Sequence, residues 1–199
     1  EWGEQFREDL QENMVLYINR ESYTAGDWSA SGNHSLERFV VEATRDASHP
    51  EATSLYTAWE GQSPGQVPGL GALGSGSDYT VFLDHLGVPS LSLGYGSPNG
   101  IYHSLYDTFE YYQRFGDPGY RYGVAQADVV GRMVMRIANA EVLPFDFADA
   151  ATTIAGYVDE LLELDSDVQI RDELGAIGLA NARLRFAGRE ANSAFGLVL

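Results

Sequence analysis

The chain has no cysteine among its 199 residues. Disulfides and thiolate metal ligands are excluded together, so any transition-metal site must use histidine, carboxylate and water. The absence does not choose between cytosol, periplasm and exterior, because a chain of this length buries a core that needs no covalent staples. Histidine is scarce, at four residues, and 12 Lys and Arg face 29 Asp and Glu, for a formal net charge of −17. Such a chain repels phosphates, which argues against nucleic acid and against adsorption to an anionic membrane. Solubility or adaptation to salt is the plain reading of the charge, since a metal site accounts for only a few acids. No apolar run is long enough to span a bilayer, so no membrane contact is visible in this segment. A signal peptide is also missing, but the chain opens on Glu1-Trp2 and reads as the interior of a longer protein.

What is present is globular. The hydrophobic share is 44%, enough for a sizeable core in one domain or slightly more. Trp2, Phe6 and Leu10 share a helical face. Met14 to Asn19 is a short run suited to a buried strand, Gly26 to Asn33 reads as a loop, and Ser35 is placed to cap a helix from Leu36 through Ala43. Residues 61–76, rich in Gly, Pro and Ser, form a long loop of the kind that usually serves a site. Ser77 and Asp78 can cap a helix that Gly87 ends, and Val88 to Leu93 is a second strand. Strands with helices between them predict a parallel sheet, at whose carboxyl ends ligands gather. A helix follows through Val124 to Ala138. After a change of composition comes an amphipathic helix over 150–164, with Ile154, Val158, Leu161 and Leu162 as its stripe. A last helix is expected over roughly 173–190.

The densest chemistry lies in Ile101-Tyr102-His103-Ser104-Leu105-Tyr106-Asp107, behind a Gly/Ser/Pro/Asn loop. His103 and Glu21 each fall just past a predicted strand. A histidine amid aromatics is often a hydrogen-bonded core residue, and Glu21 reads equally as a solvated acid. Asp107 either orients a nearby donor or caps the next helix. His34, His49 and His85 have no comparable setting.

Several segments, in order and spacing, together resemble the zinc peptidases of the glutamate carboxypeptidase and transferrin-receptor group. They are Glu1-Trp2, Tyr17-Ile18-Asn19, Ser54-Leu55-Tyr56-Thr57-Ala58-Trp59, Leu73-Gly74-Ser75-Gly76-Ser77-Asp78-Tyr79, Tyr102-His103-Ser104-Leu105-Tyr106 and Leu143-Pro144-Phe145-Asp146. The resemblance implies an α/β fold, a three-layer zinc-exopeptidase-like sheet with helices on both faces, followed by a helical dimerisation domain. Residues 1–148 match the later part of the catalytic domain and 149–199 the start of the dimerisation domain. It implies a site with two zinc ions, hydrolysing short peptides as a carboxypeptidase or aminopeptidase.

By that resemblance His103 and Glu21 are metal ligands and Tyr102 is catalytic, donating its hydroxyl to the tetrahedral intermediate. Gly76, Ser77, Ser92 and Gly94 are substrate-binding. The general base and the remaining ligands are expected before Glu1, so this segment alone is expected to be inactive. Glu21 stands where the family has an aspartate, one methylene shorter, which displaces the carboxylate by roughly 1 Å in a site demanding tight geometry. Ser92 and Gly94 stand where the glutamate carboxypeptidases carry arginines, and Ser77 where they carry an asparagine. Serine and glycine cannot neutralise an acidic substrate side chain. The expected partners are a peptide substrate and a second copy of the chain in a homodimer. The resemblance favours a periplasmic or secreted location. A noncatalytic binding or structural protein of the transferrin-receptor type is the alternative.

Overall fold

The computed structural model describes residues 1–97, 100–164 and 168–195, with the backbone alone for 22, 23 and 168–170. The expected loop positions 98 and 99 and the apolar tail 196–199 lie outside the described residues. In chain order the elements are helices α1 (Trp2–Gln5) and α2 (Arg7–Asn13), strands β1 (Tyr17–Tyr23) and β2 (Asp27–Gly32), a 3-10 turn (His34–Leu36), and helices α3 (Glu37–Asp46) and α4 (Leu55–Gln62). A π-helical turn (Val81–His85), strand β3 (Ser90–Gly96), helix α5 (Phe109–Tyr111) and a second π-helical turn (Tyr112–Gly116) follow. Helices α6 (Arg121–Ala138), α7 (Phe147–Leu164) and α8 (Val168–Ala194) complete the described elements. None of the described helices is long and apolar enough to cross a membrane.

The architecture is mixed α/β, a small three-stranded sheet flanked by helices. The chain divides into two compact units: Glu1–Asn33 with Val40–Asn139, and His34–Phe39 with Ala140–Leu199.

In the first unit β3 is the central strand. It pairs in parallel with β1, Asn19 opposite Ser92, and antiparallel with β2, Trp28 opposite Tyr95. Burial explains its place: Leu91, Leu93 and Tyr95 are all 1% exposed or less, as a strand covered by neighbours requires. The sheet is therefore mixed where a parallel one was expected, because residues 27–32 form a strand where a loop was expected. Ser and Gly there read as loop, but Trp28, Ala30 and Gly32 alternate inward with period two. Gly32 is required by close approach, since a Cβ there would lie 2.5 Å from a Leu91 methyl and 2.8 Å from the Ser90 carbonyl oxygen.

Helix α6 packs on β1 and β3, and its buried Gln126 donates from Nε2 to the Leu93 carbonyl at 3.0 Å. The N-terminal helix expected through Trp2, Phe6 and Leu10 is broken at Phe6 into two. Leu10 is buried with Leu86 and Val88, whereas Trp2 and Phe6 remain exposed and contact each other at 5.5 Å. Helix α4 had no counterpart in the sequence reading. Ser54 caps it, its Oγ accepting from Thr57 N at 3.1 Å, which gives that landmark segment a local structural purpose.

In the second unit α7 and α8 form an antiparallel hairpin. Asn181 Nδ2 donates to the Ala151 carbonyl, and Asn192 Nδ2 to Asp146 Oδ1 at 2.9 Å. Ala151, Val158 and Leu174 are buried between them. Gly188 lets the two backbones touch, because a Cβ there would sit 2.6 Å from Ala148 N. His34 Nε2 lies 3.1 Å from the Tyr157 hydroxyl, and Asp146 N donates to the Ser35 carbonyl at 2.7 Å.

Candidate metal and substrate site

Because β1 and β3 run parallel, both deliver their carboxyl ends to the same side of the sheet. Along β1 Tyr17 and Asn19 share one face by the period of two, and Glu21 follows where the β1–β3 register shifts between Arg20 and Tyr23. Asn19, 7% exposed, is the hub. Its Nδ2 donates to Glu21 Oε1 at 2.8 Å, with Ser77 Oγ at 3.2 Å and Ser92 Oγ at 3.5 Å as weaker acceptors. Its Oδ1 faces the Tyr17 hydroxyl at 3.5 Å. Burial, then the Asp78 carboxylate, pushes the Tyr17 hydroxyl above its ordinary value, so it stays a proton donor at neutral pH. Tyr17 in turn stacks on Phe82, rings 3.9 Å apart and 9° from parallel.

Glu21, Thr24 and Ser77 line a cleft of about 640 Å³ with Ile101, Tyr102, Asp107, Thr108, Phe109, Tyr111 and Tyr112. Three of the expected site residues, Glu21, Ser77 and Tyr102, therefore share one cavity, and Ser92 joins them through Asn19. Gly76 precedes Ser77 on an exposed turn with φ of 113°, its N–H donating to Thr80 Oγ1 at 3.2 Å. Gly94 is buried in β3, and its carbonyl accepts from Ser29 Oγ at 3.4 Å. His103 is exposed, has φ of 60°, and stacks its ring on Tyr102 at 3.8 Å. It is not among the described residues lining the cleft.

The loop is shaped by local bonds: Ser104 N to the Ile101 carbonyl at 2.9 Å and Tyr106 N to Ser104 Oγ at 3.2 Å. Thr108, not Asp107, caps the helix that follows, its Oγ1 accepting from Tyr111 N at 3.2 Å. Asp107 instead faces the cleft. Ser77 Oγ likewise accepts from Asn19 Nδ2, and the π-helical turn has no side-chain cap.

Imidazole and carboxylate are donors suited to zinc, and Glu21 keeps lone pairs beyond the one that Asn19 engages. The number of donors falls short: among the described residues no group of three or more His, Asp and Glu is placed to hold a metal ion, and a zinc site takes three or four protein ligands. The described residues therefore offer the right ligand chemistry without a complete ligand set among them. The described residues that line the cleft carry two carboxylates, Glu21 and Asp107, and no Lys or Arg.

The bridging role of Asn19, known from sequence only as part of Tyr17-Ile18-Asn19, and the part that Phe109, Tyr111 and Tyr112 of the aromatic segment 109–122 play in walling the cleft were not read from sequence. The first was legible in part, as the residue two before Glu21. The second required knowing that the chain doubles back after Thr108.

No protein-family model matches the chain. It is 33% identical over 165 residues, 81% of its length, to "Probable glutamate carboxypeptidase LAMP1" of Arabidopsis thaliana, covering 24% of that protein. It is 32% identical over 181 residues to "Aminopeptidase NAALADL1" of Mus musculus, with 82% of this chain and 24% of that protein covered. It is also 30% identical over 167 residues to "Inactive N-acetylated-alpha-linked acidic dipeptidase-like protein 2" of Homo sapiens, 77% of this chain and 19% of that protein. The chain thus spans about a quarter of the length of the curated relatives it matches first. Across most of its own length it is homologous to glutamate carboxypeptidases and aminopeptidases, and at the level of family it is a relative of these peptidases.

Proposed function

We propose that the full-length protein is a zinc-dependent exopeptidase of carboxypeptidase or aminopeptidase type, acting on short peptides, to which residues 1–148 contribute part of the active site. The convergence of Glu21, Ser77 and Tyr102 on one cleft at the carboxyl ends of β1 and β3 carries this reading. Two zinc ions in the complete site would polarise the substrate carbonyl and activate the attacking water. On this chain His103 and Glu21 would hold metal, Tyr102 would hydrogen-bond the developing oxyanion, and Gly76, Ser77, Ser92 and Gly94 would border the substrate. The general base and the remaining ligands belong to segments preceding Glu1. Ser92 and Gly94, where the glutamate carboxypeptidases carry arginines, cannot neutralise an acidic substrate side chain, which sets this proposed site apart from theirs.

Residues 149–199 are the start of a helical dimerisation domain in this reading. The α7–α8 hairpin leaves Leu161 and Leu164, one turn apart on α7, 49% and 84% exposed, apolar side chains that a second copy would cover. The second reading, a noncatalytic binding protein, is favoured by the similarity to an inactive human relative.

His103→Ala and His85→Ala in the full-length protein separate the two readings. The first is expected to lower both bound zinc and dipeptide turnover by at least tenfold, and the second to change neither. Turnover absent from the wild type, or equal zinc content and turnover in the wild type and the His103 variant, would defeat the enzymatic assignment of this site. Residues 1–199 alone are expected to show no turnover.

A further inference from the structure

We infer that Asn19 is a positioning residue for Glu21, which rests on the reading of Glu21 as a metal ligand and extends it to a residue with no assigned role. A glutamate has three side-chain torsions and, at the open end of a strand, nothing intrinsic to fix its carboxylate. Glu21 stands one methylene longer than the acid of the resembled family, so its carboxylate needs an external restraint to hold one position. Asn19 supplies it at 2.8 Å from Oε1.

The amide itself is held. It is 7% exposed, its strand partner is Ser92, and polar groups meet it on both sides. The Tyr17 hydroxyl faces Oδ1 and three acceptors face Nδ2. A tyrosine hydroxyl that stays protonated presents its proton to an acceptor, so the carbonyl end of the amide belongs on the Tyr17 side and the NH2 end on the Glu21 side. Reversing the amide would set its carbonyl against the Glu21 carboxylate, two acceptors at hydrogen-bond distance. Asn19 also reaches Ser77 on the loop and Ser92 on β3, so one buried side chain fixes the carboxylate relative to two of the residues that border the substrate. Tyr17 and Asn19 alternate on one face of β1, and Glu21 follows where the β1–β3 register shifts between Arg20 and Tyr23, so the ladder leaves its carboxylate to be placed by Asn19.

Loss of a group that orients a metal ligand typically lowers metal affinity about 10- to 100-fold. The test uses the full-length protein, stripped of metal and titrated with zinc against a competing chelator. The variants are Glu21→Ala, Asn19→Leu, which keeps the shape and removes the donor, and the two combined. Asn19→Leu is expected to weaken zinc binding about 10- to 100-fold, and to do nothing further in the Glu21→Ala background, with thermal stability recorded alongside. Asn19→Ser keeps a polar group in the buried position but withdraws the donor from Glu21. It serves where leucine prevents folding, and the same loss is expected.

If Glu21→Ala weakens zinc binding while a folded Asn19 variant binds as the wild type does, the positioning role is overturned and the ligand assignment stands. If Glu21→Ala leaves zinc binding unchanged, the ligand assignment falls and the inference with it. Equal losses from the Asn19 substitution with and without Glu21 would also overturn it, because the residue would then act on the fold and not on the carboxylate.

Discussion

Helix α8 contains two glycines whose replacement by alanine should move stability in opposite directions. Gly175 faces open space, with no heavy atom within 4 Å of an added Cβ. Gly188 faces the start of α7, where an added Cβ would lie 2.6 Å from Ala148 N, 2.9 Å from Phe147 C and 3.1 Å from Ala148 Cα. In a helix interior, glycine to alanine favours the folded state by about 1 kcal/mol. That gain is common to both sites and cancels in their difference. What remains is the overpacking at Gly188, about 1–3 kcal/mol. The upper part of that range applies, since the obstructing atoms are backbone and cannot rotate away. Gly175→Ala should therefore stabilise by about 1 kcal/mol, while Gly188→Ala should destabilise by about 1–2 kcal/mol. Urea unfolding of the full-length protein, followed by far-ultraviolet circular dichroism, reads both midpoints. Equal stabilisation by the two substitutions would refute the close approach of α7 and α8, and with it the hairpin geometry on which the exposed apolar surface depends.

Two further expectations come from other parts of the chain. Burial lowers the His49 pKa below its ordinary 6.5, with Arg121 adding to it and Glu51 partly opposing; the ring lies 5.7 Å from Tyr95 and 5.8 Å from Tyr122. The unfolded chain therefore binds this proton more readily, and the stability contributed by neutral His49 is lost as pH falls below about 6.5 and on through the folded value. His49→Phe should flatten the fall in urea midpoint between about pH 7 and pH 5, and an unchanged slope would remove His49 from the account. Leu161→Asp, on the exposed side of α7, should convert a full-length homodimer to monomer in sedimentation at micromolar concentration. A wild type that is already monomeric there would overturn the proposed assembly.

What the sequence disclosed follows from how local each signal is. Gly87 ends the turn after His85 with φ of 69°, as its place after an apolar run suggests. Helix α7 lies close to its expected span because three-to-four spacing is written into consecutive residues. Strand β2 was hidden because half of it is Ser and Gly, and only pairing with β3 reveals which side of it is buried. The mixed sheet was hidden with it. At the candidate site Glu21, Ser77 and Tyr102 were named from motifs. Their common cleft depends on the register of β1 and β3 and on the path after Thr108, neither of which a short motif carries. The bridging role of Asn19 was hidden because its acceptors lie 2, 58 and 73 residues away, and only the first is a neighbour in sequence.

His103 has a backbone that glycine would adopt without strain. A left-handed residue with a Cβ costs roughly 1–2 kcal/mol, and φ at His103 is 60°. Backbone strain alone would favour glycine at this position, so the loop carries an imidazole at the expense of its own stability. An engineer seeking a sturdier protein would find position 103 attractive, and the gain in stability would erase the ring. In the proposed role of His103 as a metal ligand, stability and chemistry are set against each other at a single residue, and the exchange is measurable from either side.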